Sequence, residues 1–346
     1  LLLSIERDTP LYSAKSILYL RNAMAVKSNF ETLVTVFGGS GFLGRHVVRA
    51  LCHRNYRIRV AVRRPELTGH LQPLGRVGQI HAVQANVRFP QSVEAAIHDA
   101  DIVVNLIGIL YETGRQRFDA VQGAGAETVA RAATAAGARL VHVSAIGADE
   151  SSPSAYARAK AAGERLVLAA QPHAIVVRPS LVFGPEDEFF NRFAALARIS
   201  PALPLPGGGH TRFQPVFAGD VGEAIAKAVD GDAQPGATYE FGGPDVLTFK
   251  ELMQFTLATT ERHRLLVPVP FALMTLQAKV LQFLPKPPLT PDQVELLKTD
   301  NVVSPTAREQ GRTIEGLGIV PNSIGTIVPD YLWRFRKSGQ FSGRTA

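Results

Sequence analysis

The chain has 346 residues, 46% of them hydrophobic and 19% charged, enough apolar material for one large core plus an appended smaller one. Its formal charge of +7 favours acidic partners such as a nucleotide, an anionic membrane surface or an acidic subunit; no nucleic-acid-binding motif or aromatic-plus-basic platform accompanies it, which argues against nucleic acid. The single cysteine, Cys52, rules out an internal disulfide and a cysteine-only zinc site, and its place on the apolar face of the first helix makes it core filler.

Residues 1–30 are expected to be a poorly ordered extension, the functional chain starting near Met24. Leu1-Leu2-Leu3 is too short for a signal core or a membrane span, although a degraded targeting presequence is an alternative. Leu33–Phe37 then reads as a buried strand running into the turn Gly38-Gly39-Ser40-Gly41-Phe42-Leu43-Gly44 and a helix. This order seats a dinucleotide pyrophosphate. Gly38 permits the tight turn, Gly41 lets the backbone approach phosphate, Gly44 lets the helix pack on the strand, and free helix N–H groups face the anion. The spacing G-x-x-G-x-x-G is one residue wider than the commonest fingerprint, and a plain glycine-rich turn is the competing reading.

The second strand of such a unit normally ends in an acid that grips the adenosine ribose. Here Arg57–Val62 leads into Arg63-Arg64-Pro65 with no acid. Two guanidinium groups there suit a 2′-phosphate, so NADPH is expected over NAD; an ordinary basic surface turn is the alternative. Ile80–Gln84, Ile102–Leu106, Leu140–Val143 and Ala174–Val177 read as further buried strands, separated by alanine-rich helices such as Val121–Ala136. The pattern predicts an α/β fold, a Rossmann-type doubly wound parallel sheet over residues 31–183. Ligands bind at the carboxyl ends of such strands. Asn86 and Val87, Leu106 and Gly108, and Pro179 end strands there and are assigned to the cofactor, although an asparagine at a strand end is as often a turn former.

Tyr156 and Lys160, four residues apart at the start of a helix, share one face. The ammonium can lower the phenol's pKa and hold the nicotinamide ribose, while a tuned phenol serves as a general acid or base. Ser144, ending the preceding strand, completes the candidate catalytic set. Ser151, Ser152 and Ser154 are candidate substitutes, more simply read as the helix cap. Asp220 is expected to be an N-cap, and the histidines, including His142, His173 and His210, show no metal-site spacing.

Beyond Gly184 the prolines and the Gly207-Gly208-Gly209 run mark a smaller C-terminal α/β lobe, residues 184–346. Its apolar run Leu265–Leu284, interrupted by Pro268 and Pro270, has a helical part too short to span a bilayer; it either lies on a membrane surface or partner, or packs on its own lobe. Tyr331-Leu332-Trp333-Arg334-Phe335-Arg336-Lys337 repeats the basic and aromatic theme and is a second candidate docking element.

Three segments carry a resemblance to a known family: Val36–Gly44, Val177–Phe193 and Gln214–Val221. They resemble the extended and atypical short-chain dehydrogenase/reductase superfamily, also called NAD-dependent epimerase/dehydratase. More narrowly, the chain resembles the nucleotide-binding accessory-subunit group of respiratory complex I (alpha-subcomplex subunit nine) and its bacterial relatives, over roughly Thr32 to Phe341. The resemblance implies NADPH held by Gly38, Gly41, Gly44 and one or both of Arg63 and Arg64, with Tyr156 and Lys160 beside the nicotinamide. It implies that 212–245 returns from the lobe to the sheet, with Arg212 and Gln214 facing substrate or nicotinamide. One departure stands out. Active members place a serine or threonine just past the fifth strand, whereas Ser144 is followed by Ala145 and Ile146. Two functions follow: a carrier whose bound nucleotide supports the assembly or stability of a respiratory complex, or a working NAD(P)-dependent reductase, epimerase or dehydratase on a small hydroxy or keto compound, with quinone metabolism as one setting. The expected location is cytoplasmic, peripheral on the inner face of a bacterial inner membrane, or the matrix side of the mitochondrial one.

Overall fold

In the computed structural model, which describes residues 27–284 and 287–338, the short β-branched runs assemble into one parallel sheet. Its strands are β1 (Leu33–Phe37), β2 (Arg57–Val62), β3 (Ile80–Gln84), β4 (Ile102–Asn105), β5 (Arg139–Val143), β6 (Ile175–Pro179) and β11 (Thr238–Phe241). They lie in the order β11-β6-β5-β4-β1-β2-β3. The order reverses between β1 and β4, so the crevice of the doubly wound fold opens at their carboxyl ends. Of the expected extension, residues 1–26 lie outside the described chain.

Both faces of the sheet are covered, which is why its strands are apolar rather than alternating. On one face α1 (Phe42–His53) and α6 (Ala218–Asp230) bury Val47, Val48, Leu51, Ile225 and Val229. Cys52 joins this core, where burial pushes its thiol up to about 11. On the other face α2 (Pro90–Ile97), α3 (Ala124–Ala135) and α4 (Ala155–Ala170) cover Phe37, Val103 and Leu140. The helix expected from Val121 begins instead with a π-type turn over Asp119–Gly123, which carries Gln122. Asp220 is not the cap of α6. The helix starts two residues earlier, at Ala218, and the Asp220 carboxylate accepts from the backbone and side-chain nitrogens of Asn322 at 2.6 and 2.7 Å.

The second lobe has its own core, built around edge-to-face phenylalanines: Phe189 and Phe190 lie with ring centroids 5.2 Å apart, and Phe193 and Phe249 5.5 Å apart. It contains β7 (Val182–Phe183), α5 (Phe190–Ile199), β8 (Ala202–Pro206), β9 (Arg212–Phe213), β10 (Val216–Phe217), β12 (Leu247–Thr248), α7 (Phe249–Thr259), β13 (Leu265–Val269), α8 (Phe271–Leu281) and α9 (Pro291–Leu296). Within 212–245 the chain returns to the sheet through α6 and β11. Strands β9 and β10 stay apart, pairing with β12 and β7. Pro270 divides the apolar run at 265–284 into β13 and α8.

The stretch Tyr331–Lys337 is anchored on its own lobe while Trp333, Arg334 and Lys337 stay exposed. Tyr331 and Leu332 are buried, the Tyr331 hydroxyl donates to Asp187 at 2.5 Å, Arg334 donates to Asn191, and Arg336 donates to the Thr259 carbonyl.

One ion pair ties α4 to the sheet. Arg178 on β6 donates to both oxygens of Glu164 on α4, at 2.9 and 2.5 Å, with Glu240 of β11 at 3.7 Å. Glu164 is buried, so its removal leaves a poorly compensated guanidinium. Glu164→Ala is expected to lower the unfolding free energy by about 3 kcal/mol, read from urea denaturation; a change within experimental error would show the pair to be dispensable.

Candidate functional site

The turn after β1 is governed by contact distance. Gly38 has φ +79 and donates to the Ala61 carbonyl, Gly41 donates back to Gly38 at 3.0 Å, and a Cβ on Gly44 would overlap the backbone of Gly38 and Gly39. No side chain caps α1, and its first turn holds no acid. The N–H groups there have no intrahelical partner and face a cleft of about 350 Å³.

That cleft gathers most of the expected cofactor residues. Its walls are Gly38 and Ser40 to Gly44 from the turn, Arg63 from the end of β2, Asn86 and Val87 from β3, and Leu106 and Gly108 from β4. Gly39 faces away: a Cβ there would meet Val36, Val48 and Val60. Arg64 is exposed and opens a short 3-10 turn outside the walls. Two polar residues in the walls escape the sequence reading, beside apolar ones such as Ile107 and Ile109. Arg88 brings a second guanidinium and donates to the Arg115 carbonyl, and Gln116 accepts from Arg63 at 2.6 Å. Arg88 could have been found, since it follows Asn86-Val87 directly; no local pattern marks Gln116. Asn86 does form a turn, its carboxamide oxygen accepting from Arg88 N at 3.2 Å, which leaves its amide hydrogens unspent.

Tyr156, Lys160 and Ser144 lie outside these walls, Lys160 next to Gly108. A Cβ on Gly108 would sit 3.3 Å from Lys160 Nζ and 3.5 Å from Gln122 Oε1, so the bare backbone brings β4 against the ammonium. Lys160 is buried and uses one donor, on the Val143 carbonyl at 3.2 Å; burial pulls its pKa down to about 8, Glu164 opposing weakly. Tyr156 stacks edge-on against Phe118, with Lys160 Nζ 6.0 Å from its ring centroid. The expected depression of the phenol is not found. Burial, and then the Asp292 carboxylate, push it up to about 12. Ser144 is buried with a hydroxyl that has no partner, and Gln122 Nε2 is likewise unpartnered. Ser154 caps α4, accepting from Ala157 N, and Ser152 accepts from Ser154 N.

The remaining assignments do not converge here. Pro179 is buried, its carbonyl accepting from Ile146 N. Gln214 is an internal hub: it is buried, donates one amide hydrogen to the Gly243 carbonyl and accepts from Val303 N and Arg308, so most of its bonding is spent within the protein. Arg212 is held by a two-pronged pair with Asp300 at 2.7 and 2.8 Å.

Sheet order and glycine-lined cleft together define a dinucleotide-binding protein of the Rossmann class. The chain belongs to the NAD dependent epimerase/dehydratase family, whose model matches residues 34–242. It is 36% identical over 326 residues to the mitochondrial NADH dehydrogenase [ubiquinone] 1 alpha subcomplex subunit 9 of Arabidopsis thaliana, covering 90% of this chain and 80% of that protein. It is 38% identical over 173 residues to the ceramide reductase of Caulobacter vibrioides, covering 50% and 53%. The UDP-glucose 4-epimerase of Thermus thermophilus, solved in complex with NAD, shares the fold, with TM-score 0.58 and 19% identity over 87% of this chain and 99% of that one. A nicotinamide dinucleotide is thus the cofactor class, and the uncapped helix, the glycine contacts and the unspent donors of Lys160 fit it.

The buried lysine has a stability cost with a definite sign. Its folded pKa of about 8 lies below the ordinary value of 10.5, so the native state binds fewer protons between these values and stability rises with pH across that window. Below pH 8 the cost is fully present, at about 3 kcal/mol. Lys160→Met is expected to raise the midpoint of thermal unfolding at pH 7 while weakening dinucleotide binding at least tenfold; a lower midpoint would show that the ammonium is well solvated by its site.

Proposed function

We propose that the protein holds NADPH as a structural cofactor and serves as an accessory subunit of a respiratory complex like complex I. The observation that carries this reading is the division of the site. At the phosphate end the helix N-terminus, Arg63 and Arg88 offer an anion a complete set of donors. At the nicotinamide end Ser144 is buried away from the cleft walls and the Tyr156 phenol is pushed up to about 12, a poor proton donor near neutrality. Tight binding without efficient chemistry stabilises the fold by mass action. The similarity to proteins named as subunits of NADH dehydrogenase (ubiquinone), including the mouse one at 33% identity over 308 residues, supports the same assignment.

Such a role needs a surface for neighbours. Helix α8 turns Leu276, Val280 and the following Phe283 outward at 63, 69 and 85% exposure, beside Lys279. This face suits peripheral contact with an anionic membrane surface or an apolar subunit. No helix among the described residues is long and apolar enough to cross a membrane. A catalytic reading, as a reductase, is favoured by one observation: Lys160 and Tyr156 share a helical face and the ammonium retains unspent donors.

In the cleft Arg63, and not Arg64, would meet the 2′-phosphate. Arg63→Ala is expected to weaken NADPH about tenfold to a hundredfold and NADH less than twofold, by isothermal titration, with Arg64→Ala near wild type. Equal losses for both nucleotides would reject the NADP assignment. Mass spectrometry of nucleotide released from the purified protein is expected to find NADPH that exchanges with added cofactor over hours; rapid exchange coupled to substrate turnover would favour the reductase.

A further inference from the structure

We propose that Asp292 is the positioning residue of the Tyr156 helix, and that it joins the α8–α9 hairpin to the dinucleotide site. The proposal rests on the reading of the cleft as that site. Helix α4 opens with Ser154, and the N–H groups of Ala155 and Tyr156 need acceptors. One carboxylate from far along the chain supplies them. Asp292 Oδ1 accepts from Ala155 N at 2.6 Å, and Oδ2 accepts from Tyr156 N at 3.3 Å and from the Ser154 hydroxyl at 2.9 Å. An anion at a helix N-terminus is favoured by the dipole and by charge-assisted bonds. Three bonds to three successive residues fix the rotation and height of this turn. It carries Tyr156, and Lys160 follows one turn later.

Asp292 is itself held rigidly. It is the second residue of α9, whose start is locked by Pro291 and by the reciprocal cap of Thr290 and Gln293. Val294 of the same helix packs with Met274 and Ala278 of α8 in a small separate core. The carboxylate therefore moves with the hairpin. A shift of α8, the helix with the exposed apolar face, reaches the first turn of α4 through this side chain, while Asp292 lies outside the cleft walls.

Hydrogen exchange by mass spectrometry and NADPH titration on the full chain test this, using Asp292→Ala, Asp292→Asn, Met274→Ala and the double variant Asp292→Ala/Met274→Ala. Asp292→Ala is expected to speed amide exchange at residues 155–159 and to lower NADPH affinity about fivefold to tenfold. Asp292→Asn, with the same shape and one acceptor oxygen left, falls between it and wild type. Met274→Ala, remote from the cleft, lowers affinity about threefold alone and adds nothing in the Asp292→Ala background. Unchanged exchange at 155–159 in Asp292→Ala overturns the positioning role, and additive losses overturn the coupling through the hairpin. A wild-type chain that takes up no dinucleotide refutes the reading of the cleft; exchange at 155–159 then decides the role of Asp292 by itself.

Discussion

The rest of the site depends on how closely α1 approaches β1. With a hydrogen in place of Cβ, Gly44 lets the helix begin directly over the Gly38 carbonyl, and the positive φ of Gly38 turns the chain sharply enough to allow it. The extra residue in the G-x-x-G-x-x-G spacing is Gly39, which dips among Val36, Val48 and Val60 instead of facing the ligand. The turn is thus locked from beneath by the core. Its upper side is a row of N–H groups that neither a side chain nor an acid satisfies, and an anion is their natural partner.

Charge along the rest of the crevice extends this logic. Arg63 and Arg88 line the cleft without a carboxylate in its walls, and each bonds a neutral oxygen, from Gln116 and from Arg115. Lys160 is the costlier cation: its ammonium is buried on a single backbone carbonyl. A ligand that satisfies these donors offsets a penalty already present in the unliganded protein, so nucleotide binding and fold stability are linked here. The orphaned Ser144 hydroxyl and Gln122 amide are a smaller version of the same unmet demand, Gln122 lying next to Gly108.

What is legible in the sequence is whatever a short stretch of chain determines. The strand–glycine–helix unit, the buried strands and the Tyr156–Lys160 face follow from periodicity and contact distance within about a dozen residues, and the alternation of strands with helices gives the doubly wound parallel class; the strand order itself is set by pairings between distant segments. Residues whose partners lie far away are the ones misjudged. Gln214 looks polar and available, yet its bonds run to Gly243, Val303 and Arg308; Asp220 looks like a cap, yet Asn322 claims it. The phenol shifts opposite to the expected direction chiefly because the fold buries it, and secondarily because of the Asp292 carboxylate, 136 residues away, which nothing near Tyr156 announces.

The two apolar and basic stretches of the C-terminal lobe share a composition and meet opposite fates, for a reason of partners rather than pattern. Tyr331 finds the buried Asp187 carboxylate and Leu332 the phenylalanine core, so these two side chains turn into their own lobe while Trp333 stays exposed. Helix α8 is covered on one side: Met274 and Ala278 pack with Val294, Val269 and Leu289, while Leu273, Leu276 and Val280 are exposed. A helix that is apolar on both sides but covered on one leaves unsatisfied surface of the kind that another molecule covers. Because the covered side of that helix carries α9, and α9 carries the carboxylate that seats the Tyr156 turn, the apolar surface and the nucleotide crevice are two ends of one packed unit.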